Sequence, residues 1–324
     1  MLIALLIIII GCLGLIWGAD KFVEGASSLA RTLGVSPLLI GLTIVAFGTS
    51  APEIFSSAVA AIENKPALAI GNSFGSNLFN VGIVLGISAL IKPLQAPVAM
   101  LQKEIPVLFL VTITTGLLLL DLSLGVLDAI LLISITAFLA YRLVKYQLNP
   151  KKDRQKTSTK SAEQDLNKVS LLKATAYLIV GLVTLILSAE ALVQASSDIA
   201  ERLGVSTDII GLTIVALGTS LPELAASITS VLKNQDELAI GNIIGSNILN
   251  LLTVLPFPGL LAPGPFAPNL LYRDFFVVTL LTILLCFFCY QSISKKVPMG
   301  KGCGIIFLLI YCGWFTVMLM DIRS

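Results

Sequence analysis

Residues 41–85, GLTIVAFGTSAPEIFSSAVAAIENKPALAIGNSFGSNLFNVGIVL, return without a gap as residues 211–255, GLTIVALGTSLPELAASITSVLKNQDELAIGNIIGSNILNLLTVL. Roughly half the positions are identical at an offset of 170 residues, far more than shared apolar composition produces. The likeness continues upstream, where LARTLGVS at 29–36 matches IAERLGVS at 199–206 and Asp20 matches Glu190. The chain is a duplication, and whatever chemistry one copy carries, the other carries too.

Composition places both copies in a bilayer. Of 324 residues, 56% are hydrophobic and only 12% charged, with a mean hydropathy of +0.96; a soluble domain carries about a quarter charged residues. A helix crosses the hydrocarbon core with about 20 apolar residues. Windows of that size predict ten spans, at 2–19, 36–62, 67–91, 105–122, 125–146, 171–195, 206–232, 237–261, 273–291 and 303–320. The first is read as a span and not a signal peptide, because its first positive charge, Lys21, follows the apolar run. With the N-terminus outside, 17 of the 21 Lys and Arg fall on the cytoplasmic side, and only Lys65, Arg202, Arg273 and Arg323 on the other. Both termini are therefore expected outside an inner (cytoplasmic) membrane.

The polar, basic stretch 149–168 (NPKKDRQKTSTKSAEQDLNK) has nothing to bury and reads as a cytoplasmic linker. It separates a first membrane repeat, 1–148, from a second, 169–324. Each half holds five predicted spans, an odd number, so the second copy enters the membrane from the opposite side. The expected fold class is an all-α integral membrane protein of ten transmembrane helices, built as two five-helix inverted repeats. That architecture belongs to transporters, whose substrate site lies at the repeat interface near the midplane.

Histidine is absent. That removes Ser–His and Cys–His catalysis and most zinc chemistry. No paired Asp motif in facing spans suggests an intramembrane protease, so no enzyme is expected. Cys286 and Cys289 form a CxxC inside an apolar run; with Cys12, Cys303 and Cys312 they read as small buried hydrophobes.

The chemistry sits in GTSAPE (48–53) and GTSLPE (218–223), both in mid-span. Pro52 and Pro222 lack an N–H and clash with the carbonyls of Gly48 and Gly218, so each helix is expected to break. The break frees carbonyls around Ala46 to Thr49 and Ala216 to Thr219. Directly after it comes a carboxylate, Glu53 or Glu223. Ser50-x-x-Glu53 also fits a capping box. A charge in mid-bilayer costs about 3 kcal/mol even on the gentler scale, and two at matched sites with no Lys or Arg beside them argue for a bound cation.

The next span of each half adds neutral oxygens. Asn72, Ser76 and Asn80 recur every four residues on one helical face, and Asn242, Ser246 and Asn250 repeat them. Ser76, Asn80, Ser246 and Asn250 are the stronger ligand candidates; Asn72, Asn77, Asn242 and Asn247 are as readily interhelical hydrogen-bond glue. Gly71-x-x-x-Gly75 and Gly241-x-x-x-Gly245 allow close helix approach. Oxygen donors carrying two negative charges, with no thiolate or imidazole, suit Ca²⁺ and Na⁺.

The duplicated GTSxPE followed by GNxxGSNxxN resembles the α-repeats of the sodium/calcium exchangers of the cation/calcium antiporter superfamily, most nearly the prokaryotic calcium/sodium antiporters. The likeness covers essentially the whole chain. It implies Na⁺/Ca²⁺ exchange, with spans 2, 3, 7 and 8 forming the ion site and spans 1 and 6 sliding against them. It implies that Glu53 and Glu223 are acidic ligands shared by Ca²⁺ and Na⁺. Thr49 and Thr219, with the carbonyls of Ala46 and Ala216, match backbone ligands. Ser50, Ser220, Ser76 and Ser246 match hydroxyl and flanking Na⁺ ligands, and Asn80 the central amide. Many members carry Asp where this chain has Asn250, which leaves stoichiometry and K⁺ dependence open. No long regulatory domain separates the halves.

The competing readings are a H⁺/Ca²⁺ or K⁺-coupled antiporter, since glutamates in a low-dielectric site can take protons, and, in another class, a cation-selective channel. Expected partners are the transported Ca²⁺ and Na⁺ and the lipid bilayer. No cofactor, nucleic acid or obligate protein partner is expected. Asp20, Lys21 and Glu24 read as a solvated interface, Asp121 and Asp128 as flanking an outer turn, Arg273 and Asp274 as a potential pair, and 256–268 (PFPGLLAPGPFAP) as an irregular external loop.

Overall fold

The computed structural model describes residues 1–98, 100, 103–148, 170–204 and 211–323. The expected linker and the start of the seventh span, 206–210, lie outside the described residues. Within them the chain is helical apart from one pair of two-residue strands and a single isolated bridge. Among the described residues seven helices are long and apolar enough to cross a membrane, eight when Pro37–Thr49 and Ala51–Ile62, bent by 44° at Ser50, are taken as one broken span. The matching segments of the second half are helical over 211–218 and Leu221–Leu232.

The helices Leu2–Leu33 and Leu171–Arg202 are each 32 residues long. At 1.5 Å per residue such a helix reaches about 48 Å, well beyond a hydrocarbon core of about 30 Å. This corrects the expected ends at 19 and 195. A hydropathy window stops at the first charges, whereas Asp20, Lys21 and Glu24 are tolerated by a helix, which ends only when Gly34 turns left-handed at φ 67°. The two long helices lie against each other along Gly18, Gly25 and Gly181; a Cβ on Gly18 would sit 2.9 Å from the Leu185 nitrogen. Their outer faces carry exposed Ile10, Leu13, Ile16 and Leu187.

Pro66–Ile91 and Asp236–Leu261 form the centre. In their apolar windows 72% and 83% of residues are buried, against 22–33% for the other spans. Each contains a π-helical turn at the same repeat position, Asn80–Leu85 and Asn250–Val254. The turns that feed these helices also match, with Asn64 and Asn234 both at φ 59°.

Contacts between segment ends sort into two groups. Leu94 and Met299 exchange backbone hydrogen bonds of 2.9 and 2.8 Å, Lys92 pairs with Asp236 at 2.9 Å, and Lys233 with Asp20 at 2.6 Å. Elsewhere Ser123–Leu124 pairs antiparallel with Gly264–Pro265, and Arg273 meets Asp321 at 2.6 Å. Every one of these contacts joins segments that the Lys/Arg distribution assigns to a common side.

Several expectations need correction. Residues Pro256–Leu261 are helical, and Gly264–Pro265 is tied to the 123–124 strand, so 256–268 is not an irregular loop. Its prolines stand where a helix tolerates them, Pro256 at the start of its segment. Cys12 and Cys312 are exposed, unlike Cys289 and Cys303, which are buried; in an apolar span the outward face is as apolar as the core, so composition cannot tell the two apart. Asp20 is held by Lys233 and is not simply solvated.

Arg273 and Asp274 do pair, at 2.7 and 2.9 Å, and Trp314 Nε1 donates to Asp274 Oδ1 at 2.7 Å. Asp274 is 7% exposed in its side chain. Arg273→Gln leaves that charge without its cation, so a loss of about 3 kcal/mol is expected, read as a lowered melting temperature in detergent. Asp321→Asn, at a half-exposed partner, is expected to cost less than about 1 kcal/mol. Equal effects would contradict the assignment of a buried pair.

Candidate ion-binding site

The two breaks bring the glutamates together. In the first half the helix stops at Thr49, Ser50 takes φ −82° and ψ 4°, and a new helix opens at Ala51 with Pro52 in its first turn, where a missing N–H is harmless. In the second, Ser220 takes φ −93° and ψ 7° before Leu221–Leu232. Glu53 and Glu223 thus stand in the first turn of a half-helix, where the N-terminal dipole favours a carboxylate.

Both carboxylates are buried, Glu53 at 0% and Glu223 at 1% exposure. Each is held by a serine of the other half: Ser220 Oγ donates to Glu53 Oε1 at 2.8 Å, and Ser50 Oγ to Glu223 Oε1 at 2.9 Å. Ser50 therefore does not close a capping box; its hydroxyl spans the repeat interface. Ser220 Oγ also lies 3.2 Å from Ser76 Oγ. Among the described residues Glu53 Oε2 and Glu223 Oε2 find no hydrogen-bond partner. The two acids are close enough to repel, and among the described residues no Lys or Arg pairs with either.

Of the remaining candidates, Ser76 reaches the pair through Ser220. Thr49, Ser50, Ser76, Asn80, Ser220, Ser246 and Asn250 are all buried. Ser246 Oγ, both side-chain polar atoms of Asn80 and Asn250 Oδ1 have no hydrogen-bond partner among the described residues. Thr49 Oγ1 donates to Asn242 Oδ1 at 3.1 Å. Thr219 lies directly before the second break, and its N–H donates to Val215 O at 3.2 Å.

The expectation of a freed Ala46 carbonyl is corrected: Ala46 O accepts the Ser50 N–H at 2.9 Å. Pro52 spares only the carbonyl four residues before it, Gly48, so the ladder is intact at Ala46. Thr49 Oγ1 also lies 3.4 Å from Ala46 O; when that hydroxyl donates to Asn242 instead, the carbonyl keeps a lone pair for a cation. In the second half the Ser220 N–H turns to Leu217 O at 3.3 Å, so the two breaks differ around Ala216.

Asn72 and Asn242 act as glue. Asn72 Nδ2 donates to Ser57 Oγ at 2.8 Å and to the Glu53 carbonyl at 3.1 Å; Asn242 Nδ2 donates to Ser227 Oγ at 3.0 Å. Ser57 and Ser227 escaped the sequence reading, although each lies four residues after its glutamate, on the same helical face, at the shared offset. Ser73 escaped it as well, having only Ile243 as its counterpart. Among the described residues no three His, Cys, Asp or Glu come together. Two buried carboxylates held by serine hydroxyls, with buried amides on the neighbouring helices, offer the oxygen donors that a hard cation takes.

A buried carboxylate pair of this kind, set at broken helices inside a bundle of apolar spans, is equipment for moving cations across a membrane. The chain belongs to the sodium/calcium exchanger protein family, which matches it over residues 3–145 and 173–320. It is 40% identical over 314 residues to a putative antiporter, CaxA, of Alkalimonas amylolytica, covering 97% of this chain and 98% of that one. It is 34% identical to the inner membrane protein YrbG of Escherichia coli, covering 98% and 97%. Among solved structures it matches the sodium-calcium exchanger NCX_Mj soaked with Na⁺ and Sr²⁺, with a TM-score of 0.83, 32% identity, and coverage of 97% of this chain and 98% of that one. The protein is thus a multi-pass membrane transporter of the cation/calcium antiporter kind, from a family of exchangers and not of enzymes.

Proposed function

We propose that the protein exchanges Na⁺ for Ca²⁺ across the cytoplasmic membrane by alternating access, the two ions competing for one site between Glu53 and Glu223. The observation that carries this reading is the pair of buried carboxylates, each with one oxygen bonded across the repeat interface and one without a protein partner. A single Ca²⁺ neutralises both charges, and so do two Na⁺. With neither bound, two repelling charges sit in a low-dielectric interior, where they are at their most costly. Only the ion-loaded site can face the opposite side cheaply, and that condition couples the two fluxes.

Thr49, Thr219, Ser50, Ser220, Ser76, Ser246, Asn80 and Asn250, with the carbonyls of Ala46 and Ala216, complete the coordination in this reading. The chain forms ten transmembrane helices in two inverted five-helix repeats, with both termini outside. The long helices Leu2–Leu33 and Leu171–Arg202, joined along small residues, slide past the broken-helix core. The NCX_Mj match supports this reading, as do the paired segment ends described above.

The test is ⁴⁵Ca²⁺ uptake into proteoliposomes loaded with Na⁺ or with choline at clamped pH. Uptake is expected only with internal Na⁺. Uptake that ignored Na⁺ and followed a pH gradient would replace Na⁺ with protons as the counter-ion, and no uptake under either gradient would sink the Ca²⁺ assignment.

A further inference from the structure

Asn250 is gripped at two points by the central helix of the other half. Its side-chain Nδ2 donates to Asn77 Oδ1 at 3.1 Å, and its backbone carbonyl accepts from Ser73 Oγ at 2.7 Å. Asn77, Ser73 and Asn250 are all buried, and the π-helical turn that begins at Asn250 packs against the half-helix bearing Glu53. Asn250 Oδ1, the acceptor end of the amide, has no hydrogen-bond partner among the described residues.

The symmetry-related place is different. Asn80 corresponds to Asn250 and Asn247 to Asn77, yet neither polar atom of the Asn80 side chain, nor of Asn247, has a hydrogen-bond partner among the described residues. Ser73 corresponds to Ile243, which has no hydroxyl to give. The grip is one-sided: the Ser73 contact has no counterpart because position 243 is Ile, while the Asn77–Asn250 bond is made in one half and not in the other by the same residue types.

An amide has one end that attracts a cation and one that repels it. A carboxylate at this position would offer an oxygen in either orientation, but an asparagine offers one only when its NH₂ is directed elsewhere. We infer that Asn77 is a positioning residue: by accepting the Asn250 N–H it holds that amide with its oxygen turned to the ion. Ser73 fixes the backbone from which the side chain projects. This rests on the site proposed above and adds to it a residue that touches no ion.

The test is the Ca²⁺ dissociation constant of the detergent-purified protein by equilibrium ⁴⁵Ca²⁺ binding, for Asn77→Leu, Asn250→Asp and the double variant. Asn77→Leu is expected to weaken binding about tenfold, as loss of an orienting partner does. In the Asn250→Asp background the same change is expected to cost less than about twofold, because a carboxylate needs no orienting. Equal weakening in both backgrounds would show a packing role and overturn the inference, and so would unchanged binding by Asn77→Leu. Asn77→Ala, measured in the same two backgrounds, serves if the leucine variant fails to fold. Na⁺-driven uptake by the unmodified protein is measured alongside. If it binds Ca²⁺ but does not exchange it for Na⁺, the exchange reading falls while the Asn77 result still decides this inference.

Discussion

Glu53→Gln is expected to lower Na⁺-driven Ca²⁺ uptake by at least about 100-fold, and Glu223→Gln by a similar factor, because each removes half the charge that holds a divalent ion. The reason lies in the cross-bonding. Glu53 is held by Ser220 and Glu223 by Ser50, so neither half contains a complete site. Residues that act as a unit give strongly non-additive losses, and the double variant is expected to be little worse than either single one. Ser50→Ala and Ser220→Ala each remove one hydrogen bond to a charged group, a loss of about 1.5–3 kcal/mol in ion binding. Near-normal uptake by Glu223→Gln would show that Glu53 works alone. Purified protein in proteoliposomes, with ⁴⁵Ca²⁺ as the tracer, supplies all of these comparisons.

The second large effect is expected at Gly245. A Cβ there would stand 2.6 Å from the Ala46 Cβ and 2.6 Å from the Leu42 carbonyl oxygen, and one on Gly241 would meet the Leu38 carbonyl at 2.6 Å. These are backbone and Cβ contacts, so nothing flexible can yield. Gly245→Val wedges the second central helix away from the first broken helix, one turn from Thr49 and Ser50. A loss of about 3 kcal/mol is expected, with a melting temperature lowered accordingly and transport lost. The counterpart Gly75 meets nothing within 4 Å among the described residues, so Gly75→Ala is expected to leave stability within about 0.5 kcal/mol. If the two substitutions melted alike, the tight packing of Gly41, Gly241 and Gly245 would not be what holds this interface.

The repeated GTSxPE makes much of this site legible in the sequence. Proline in mid-span removes a hydrogen bond from the helical ladder, and a carboxylate one residue later is conspicuous in an apolar background. The pairing of Glu53 with Glu223 followed from the repeat, and the structure brings them together at Ser50 and Ser220. What stayed hidden is the choice of hydrogen-bond partner. Ser50 suits a local capping box by spacing, but its partner is Glu223, 173 positions away, and no local pattern encodes that. The Asn77–Asn250 contact was hidden for the same reason, since both candidate roles of Asn77 use the same residue on the same helix face.

Helix ends were misread where hydropathy and helicity part company. Asp20, Lys21 and Glu24 end an apolar window without ending a helix, so Leu2–Leu33 runs on to Gly34. The stretch 256–268 carries prolines and glycines that read as loop, yet three backbone positions in it pair with or cap structure formed elsewhere: Gly264 and Pro265 against the 123–124 strand, and the Phe266 N–H on the Leu122 carbonyl at 3.0 Å.

The central claim is that Glu53 and Glu223 form one site for which Ca²⁺ and Na⁺ compete. Equilibrium ⁴⁵Ca²⁺ binding to the purified protein, titrated with NaCl against choline chloride, tests it most directly. The account predicts one Ca²⁺ bound per chain, displaced by Na⁺ and not by choline, with binding lost in either single Glu→Gln variant. Two independent Ca²⁺ sites, one surviving each substitution, or binding that Na⁺ leaves untouched would contradict it.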